Sequence, residues 1–384
     1  MATAAAAGVG ITAGVVFGVV PDLVARTKNP VRRRPPYPAS EGARELHRTL
    51  EIVDLHADTL LWGRDLLVRA GHSHVDVPRL IDGGIAIEGL AVSTKVPRRA
   101  NMERNDDRTD DVTLLAIAQR WPPSTLRSLL ARALYHADRA RSMADRSDGR
   151  FALIDSRSGL DAYRVRRTTD RSITAAFLAI EGAHALEDDP SNVDRLIAAG
   201  FRMLSPTHFF DNAFGGSAHG VAKGGLTPLG RELVARMEAG AMIVDVAHAS
   251  EATIDDVLAV ATRPVVASHT GVRASHDVTR NLADAHVRGI AATGGLVGIG
   301  FWPTATGGDD PASIARSVRA AVGLVGVDHV GLGSDFDGGV PVPFDATGIV
   351  QITDRLLGDG FTDEEIARIM GGNALRVLAA TLPE

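Results

Sequence analysis

Residues 51–60 read EIVDLHADTL, and this stretch places two metal-ligating side chains at the end of a strand-like run. The apolar residues before the histidine predict a buried strand. Alternate residues of a strand point to the same face, so His56 and Asp58 are expected side by side. An imidazole and a carboxylate in this arrangement can chelate a divalent metal ion. The stretch therefore predicts a metal site at a strand end.

Seven further strand-like runs follow, separated by segments with helical periodicity. The helical segment 226–240, LTPLGRELVARMEAG, repeats apolar residues at a spacing of four and ends at Gly240. Strands that alternate with helices predict a parallel sheet. The eight predicted strands are 51–58, 85–93, 172–182, 202–208, 241–249, 264–270, 295–301 and 329–338.

Eight such units predict an α/β fold, a (β/α)8 TIM barrel. A doubly wound open sheet has the same strand count. The polar residues favour the barrel, because a barrel gathers the carboxyl ends of its strands on one face, whereas an open sheet spreads them along an edge. The candidate residues at these ends are His56, Asp58, Glu181, His208, His248, His269 and Asp335.

Composition limits the function classes. The net charge is −6 and no basic stripe interleaved with aromatic residues occurs, so nucleic-acid binding is not expected. The chain has no cysteine, which excludes disulfides, thiolate metal sites and cysteine nucleophiles. A length of 384 residues suffices for one large barrel, predicted here over residues 46–384.

The N-terminal residues 1–45 are predicted to lie outside the barrel. Residues 1–21 are uncharged and a basic run follows them, which reverses the order of a secretory signal. One interpretation is a weak membrane anchor with a cytoplasmic catalytic part. The other is a disordered tail or an over-extended start, because four glycines make a poor spanning helix. The proline- and arginine-rich residues after this segment predict a linker.

The interval of about residues 95–171 is long for a single barrel connection. Its helical, arginine-rich pattern predicts helices that cover one edge of the active-site mouth. The alternative is an ordinary second barrel helix with a solvated insertion. Near the C-terminus, Thr362 and Glu365 form a capping-box pattern that predicts the start of the last barrel helix.

The strand-end residues match the needs of a metal hydrolase. Such an enzyme holds a divalent ion by nitrogen and oxygen ligands and leaves a position for water, and two adjacent ions need a bridging carboxylate. A single strand-end histidine is usually structural. A His-x-Asp pair, an isolated glutamate, two histidines on consecutive strands and a late aspartate together indicate a binuclear site.

Several longer segments carry a further signal: DLHADTLLW (54–62), FLAIEGAHAL (177–186), LSPTHFFDNAFG (204–215), RPVVASHTGVRASHDVTRN (263–281) and HVGLGSDFDG (329–338). Together they resemble the membrane (renal) dipeptidase family, zinc peptidases of the amidohydrolase superfamily. The resemblance runs from about residue 50 to the end. It implies a barrel of the metal-dependent hydrolase type, two zinc ions per chain, dipeptide substrates, tolerance of D-residues at the C-terminal position and a homodimer.

The resemblance also implies a metal-binding role for five residues. Other branches of the superfamily bridge their metals with a carboxylated lysine at the end of the fourth strand, where this chain has Thr207 and His208, so Glu181 is the candidate bridge. The implied ligands are His56 and Asp58 for the first zinc, Glu181 for both, and His248 and His269 for the second.

For catalysis, the resemblance implies that Asp335 moves the proton of the attacking water to the leaving amine. His208 would stabilise the oxyanion. Arg280, followed by Asn281, would bind the terminal carboxylate of the substrate, since a guanidinium offers a bidentate fork.

Other polar residues have simpler interpretations. Arg273 is an alternative carboxylate partner, Asp245 is expected to be structural, and Asp337 is expected to cap a turn. The expected solvated loop histidines are His184, His219 and His276.

Two other functions remain open at this point. The same metals could act on N-acyl amino acids, lactams or other small amides. The barrel could also be a non-catalytic binding scaffold, for which absence of bound metal would be the first sign.

Overall fold

Nine parallel strands form the central sheet in the computed structural model of the chain, which describes residues 20–384. The strands are β1 Ile52–Ala57, β2 Ile85–Ser93, β3 Phe151–Leu153, β4 Thr174–Glu181, β5 Phe201–Ser205, β6 Ile243–Val244, β7 Val266–Thr270, β8 Leu296–Ile299 and β9 Val330–Leu332.

The order of the strands shows a curled sheet. Eight of them follow the path β6-β5-β4-β2-β1-β9-β8-β7, and β3 pairs with β4 outside this path. An isolated parallel bridge joins Asp245, next to β6, to Val266 of β7. The Val246 N–H donates to the Val266 carbonyl at 2.7 Å. The result is an α/β fold whose sheet curls into a half-barrel of eight strands, as in TIM-barrel-like folds.

Helices connect and cover the strands. Most begin at a Ser, Thr or Asp whose side chain accepts a backbone N–H, the preferred helix start. The helices are α1 Val20–Lys28, α2 Glu41–His47, α3 Val77–Asp82, α4 Asp111–Ala118, α5 Leu129–Asp145, α6 Arg157–Thr169, α7 Val193–Ala198, α8 Pro228–Ala239, α9 Glu251–Val260, α10 Asp284–Ala292, α11 Pro303–Thr306, α12 Pro311–Val325, α13 Val350–Gly358, α14 Asp363–Ala367 and α15 Asn373–Thr381.

The predicted elements are largely found. Each of the eight predicted strands overlaps an observed one, although 241–249 shortens to two residues. Thr362 and Glu365 form the predicted capping box at the start of α14. The interval 95–171 holds α4, α5 and α6, as its helical pattern predicts, but also β3, which the sequence analysis missed. A three-residue strand between two helices has too short a pattern to detect.

Burial of the strands explains their apolar composition. Every residue of β2 and β4 is buried, as expected for central strands covered on both faces. The sheet therefore holds the residues at its carboxyl ends on a rigid base.

The N-terminal segment is attached to the barrel. Val31 bridges Val342, and the Asn29 Oδ1 atom accepts the Gly339 N–H at 2.8 Å. Tyr37 is buried and accepts the Asp345 N–H. Residues 29–37, predicted as a linker, thus pack against the loop that follows β9.

The predicted membrane anchor falls mostly on residues 1–19, which lie outside the described residues. Within residues 20–384, no helix is long and apolar enough to cross a membrane.

Candidate active site

The carboxyl ends of six strands bring the seven strand-end residues together. His56 and Asp58 end β1, Glu181 ends β4, and His269 lies in β7. Each of the seven is at most 8% exposed. His208 follows β5, His248 follows β6 and Asp335 follows β9.

The Glu181 carboxylate lies at the centre of this cluster. Its Oε1 atom is 3.0 Å from His248 Nε2, 3.4 Å from His269 Nε2 and 3.6 Å from His56 Nε2. Its Oε2 atom is 3.1 Å from His208 Nε2. One carboxylate therefore contacts imidazoles from four strands, which is the position that a bridging ligand requires.

Three overlapping triads have all their ligand atoms within 4.8 Å of one another: His56–Glu181–His269, Glu181–His208–His248 and His56–Asp58–Asp335. These groups differ from the assignment that the family resemblance implies. His269 groups with His56, although its Nε2 atom is also 2.9 Å from His248 Nε2. His208 also lies in this cluster, in the group that contains Glu181 and His248.

The residues present fit a divalent metal. Within residues 20–384, neither His56 Nε2 nor Asp58 Oδ1 has a hydrogen-bond partner, although both are buried. Buried polar atoms without partners are costly unless a ligand satisfies them. Imidazole nitrogens and carboxylate oxygens together are typical ligands of zinc and similar ions.

A serine orients two of the imidazoles. The Ser268 hydroxyl donates to Asp245 Oδ2 at 2.6 Å, and its oxygen lies 3.3 Å from His56 Nδ1 and 2.9 Å from His269 Nδ1. A hydroxyl has one proton to donate, so Ser268 accepts from both Nδ1–H groups. The Nε2 lone pairs of both histidines then point at the cluster. Asp245 thus supports the ligands.

Two serines fix the side chain and the backbone of His208. Its Nδ1 atom is 3.1 Å from the Ser93 hydroxyl, and its backbone carbonyl accepts a hydrogen bond from the Ser217 hydroxyl.

The expectation of solvated histidines nearby is wrong for His184 and His219, which are buried. Burial and nearby positive charge lower the pKa of His184 to about 3 and that of His219 to about 4, so both stay neutral.

Two residues of the cluster have strained backbones. His248 and Asp335 have φ values of +64° and +60°, a region that non-glycine residues rarely occupy.

Burial and the negative charge of Asp58 raise the pKa of Asp335 to about 7. The same two causes raise the pKa of Glu181 well above its usual value. Without a bound metal, burial and repulsion between the carboxylates therefore favour protonation of these carboxyl groups.

Arg280 lies against two histidines of the cluster. Its guanidinium donates to the His269 carbonyl at 2.7 Å, lies 3.3 Å from His248 Nε2 and stacks over Trp302. Its Nε atom is buried without a partner among the described residues. The alternative, Arg273, forms an ion pair with Glu251. Arg280 is therefore the guanidinium beside the site.

The remaining candidates serve the surrounding loops. Asn281 donates its side-chain N–H groups to the carbonyls of His276 and Ala305, which fixes the loop after Arg280. Asp337 accepts from Thr59, Arg64 and the His74 backbone, and so connects the loops after β1 and β9.

A cavity of about 490 Å³ opens above the cluster. Six of the seven strand-end residues line its floor, and α1 and α4 contribute to its walls. A cavity of this size holds a small organic molecule.

A buried cluster of imidazoles and carboxylates at the carboxyl ends of a curled parallel sheet, below such a cavity, defines a metal-dependent hydrolase. Residues 40–382 match the membrane dipeptidase family, peptidase family M19. The chain belongs to this family and is a metal-dependent dipeptidase.

Known relatives agree in sequence and fold. The dipeptidase verJ of Clonostachys rogersoniana is 28% identical over 316 residues, which cover 80% of this chain and 75% of verJ. The probable dipeptidase PvdM from Pseudomonas aeruginosa has the same fold, with a TM-score of 0.75, 21% identity and coverage of 89% of this chain and 98% of PvdM. A metallopeptidase from Rhodobacter sphaeroides, crystallised with a phosphinate mimic of L-Ala-D-Ala, has a TM-score of 0.71, 24% identity and coverage of 86% and 99%.

Proposed function

We propose that this chain is a binuclear zinc dipeptidase that hydrolyses the amide bond of dipeptides and accepts a D-residue at the C-terminal position. The observation that carries the proposal is the Glu181 carboxylate, which lies within 3.6 Å of four imidazole nitrogens. The tolerance of a D-residue is supported by the Rhodobacter sphaeroides peptidase, whose bound phosphinate mimics L-Ala-D-Ala.

The family membership supports the assignment of the ligands. His56 and Asp58 would hold one zinc, His248 and His269 would hold the other, and Glu181 would bind both. The curled sheet that carries these ligands is a closed (β/α)8 barrel, with the Asp245–Val266 bridge at its closing edge. His208 has its Nε2 atom at the same cluster but acts on the substrate, because the ligand set is complete without it.

The zinc ions would polarise the scissile carbonyl and lower the pKa of the attacking water. The Asp335 carboxylate accepts the proton of that water and passes it to the leaving amine. The His208 imidazole, held through Nδ1 by Ser93, presents Nε2–H to the carbonyl oxygen as it gains negative charge. The buried Arg280 guanidinium binds the terminal carboxylate, with Asn281 fixing its loop.

The decisive experiment combines a metal count with a rate measurement. Elemental analysis of the purified protein should find two zinc ions per chain. The protein should release amino acids from Gly-Leu and Leu-D-Ala, and a chelator should stop both reactions. Glu181→Gln, which keeps the shape of the side chain but not its charge, should lose metal and activity together.

Other outcomes would replace the proposal. Two metals without dipeptide cleavage would indicate another small amide, such as an N-acyl amino acid or a lactam. No bound metal would favour a binding scaffold. A rate on Leu-D-Ala far below that on Gly-Leu would remove the D-residue assignment alone.

We also propose a homodimer in the cytoplasm, weakly associated with the membrane through residues 1–21. Light scattering measures the mass, and sedimentation with lipid vesicles compares the full chain with one that begins at residue 20.

A further inference from the structure

The cavity above the cluster has an apolar wall, and the polar backbone of a dipeptide has no group that would bind such a wall. Its apolar side chains include Leu61 and Trp62 after β1, Val24 of α1, and Val112 and Leu115 of α4. The metal ligands and Asp335 form its polar floor. The space therefore joins the reacting centre to an apolar chamber.

Part of this wall lies outside the family match, which begins at residue 40. α1 packs against α4 and the turn Thr59–Trp62. Asp22 pairs with His72 at 3.1 Å, and Asn29 accepts the Gly339 N–H at the other end of the helix. The helix is thus anchored beside the site, because Gly339 follows Asp335 by four residues.

The wall also presents apolar surface to water. Val24 is 38% exposed, and Leu114 of α4 is 53% exposed. Apolar side chains that line a cavity and remain in contact with water favour an apolar ligand group. The continuity of this surface with the reacting centre indicates that the group belongs to the substrate.

The orientation of a bound dipeptide follows from the proposed function, on which this inference rests. Arg280 lines a second cavity of about 330 Å³, which shares His248 with the first. A substrate whose carboxylate binds Arg280 and whose scissile carbonyl lies at the cluster has its N-terminal residue on the side of the apolar chamber.

We propose that the chamber between α1 and α4 binds the side chain of the N-terminal residue, and that the preferred substrates are dipeptides whose N-terminal residue carries a large apolar group. Val24 and Leu115 are the specificity-determining positions. A cavity of about 490 Å³ exceeds what an alanine side chain fills and accommodates an aromatic or a larger apolar group.

The test compares Phe-Ala with Ala-Ala on the zinc-loaded full chain. The kcat/KM for Phe-Ala should exceed that for Ala-Ala about 10-fold or more, the effect of burying an aromatic side chain. Val24→Asp and Leu115→Asp each place a charge in the chamber and should lower the Phe-Ala to Ala-Ala ratio at least about 5-fold. Val165→Asp is the matched control, because Val165 is an exposed valine of α6 at 70% exposure, and its ratio should not change.

Direct binding separates this inference from the proposed function. Calorimetry on the Asp335→Asn variant should give a lower Kd for Phe-Ala than for Ala-Ala, and Val24→Asp in that background should remove the difference. Equal Kd values, or no binding of either dipeptide, would overturn the inference. Failure of the zinc-loaded wild-type protein to cleave Ala-Ala, with the Kd preference intact, would instead overturn the proposed reaction and leave the chamber as an apolar binding site.

Discussion

Ser268 shows how one hydroxyl can orient two proposed metal ligands. Its oxygen is within 3.3 Å of the Nδ1 atoms of both His56 and His269, while its proton goes to Asp245. Asp245 also accepts the backbone N–H groups of Ala247 and Ser268 at 2.9 Å, which holds the carboxylate in place. The tautomer of two proposed ligands therefore depends on a residue that is not itself in the proposed ligand set.

Replacement of Ser268 by alanine tests this role. The variant loses the acceptor for both Nδ1–H groups, so the imidazoles can rotate or change tautomer. We expect the metal affinity to fall about 10- to 100-fold, as is usual when the support of a ligand is removed. Competition with a chromogenic chelator measures the affinity.

Ser147→Ala is the control for this variant. Ser147 is equally buried, its hydroxyl donates to the Ala144 carbonyl and its oxygen accepts the Phe151 N–H, at positions remote in sequence from the site residues. Its loss should lower the free energy of unfolding but leave the metal affinity unchanged. An unchanged affinity in Ser268→Ala would show that the imidazoles are oriented by other contacts.

Asp335→Asn should separate metal binding from turnover. Asparagine has the same shape and tolerates the left-handed backbone that Asp335 adopts at φ +60°. It cannot accept and pass on a proton, so kcat should fall about 10²- to 10⁴-fold, the usual contribution of a general base. Elemental analysis and steady-state rates measure the two effects, and turnover within a few-fold of wild type would remove the proton relay.

The residues that could be predicted from sequence are those whose position follows from a local rule. His56, Glu181, His248 and Asp335 each end a strand, and parallel strands end on one face. The burial of His184 and His219 was missed because it depends on packing between loops. Ser268 precedes a predicted ligand, but nothing in the sequence shows that its hydroxyl contacts His56 from another strand.

At the scale of elements, α5 carries a buried histidine that makes the insertion sensitive to acid. His136 is 1% exposed, packs against Trp121 and lies 3.4 Å from the Arg139 guanidinium. Burial, followed by the charges of Arg139 and Arg132, lowers the pKa of His136 well below its usual value. The folded state therefore holds this imidazole neutral.

The pH dependence of the folding stability follows from the difference in proton binding between the unfolded and the folded chain. The unfolded chain binds a proton at His136 below pH of about 6.5, where the folded chain does not, so stability falls as the pH decreases through that value. Replacing His136 by phenylalanine keeps an aromatic ring and removes the proton site. Denaturant unfolding at pH 7.5 and 5 should show a smaller loss of stability in His136→Phe than in wild type. An equal loss in both proteins would mean that other groups dominate the acid response.

The presence of a strand could be predicted from the sequence more reliably than its length. The eight strands were found because buried parallel strands are long apolar runs. β6 shortens to Ile243–Val244 because its pairing partners, rather than its own residues, decide where the ladder ends. β3 lies between α5 and α6 and was masked by the helical pattern around it.

At the scale of the whole molecule, the curled sheet gathers buried negative charge at the carboxyl ends of its strands. Asp58, Glu181 and Asp335 lie within one buried cluster with the imidazoles. The sequence predicts this convergence from the parallel fold. It could not predict that α1 crosses the mouth, because the pairing of Val31 with Val342 joins residues that are distant in sequence.

Metal removal should therefore destabilise the whole chain. A metal that binds the folded state stabilises it in proportion to the logarithm of its concentration over Kd, about 2.7 kcal/mol at 100 times Kd. Without the metal, the buried carboxylates repel one another, which is why burial and Asp58 raise the pKa values of Glu181 and Asp335. We expect the chelated protein to unfold at a temperature several degrees lower, with the midpoint restored by added zinc.

The Glu181→Gln variant tests whether the stabilisation by metal comes from binding at Glu181. The variant carries one negative charge fewer, so its metal-free form should unfold at a higher temperature than the chelated wild type. Since it lacks the bridging charge, zinc should raise its midpoint by much less. If zinc raised both midpoints equally, the stabilisation would come from a site that does not contain Glu181. If chelation left the wild-type midpoint unchanged, the cluster would be stable without metal, and the unpaired His56 and Asp58 atoms would need another partner.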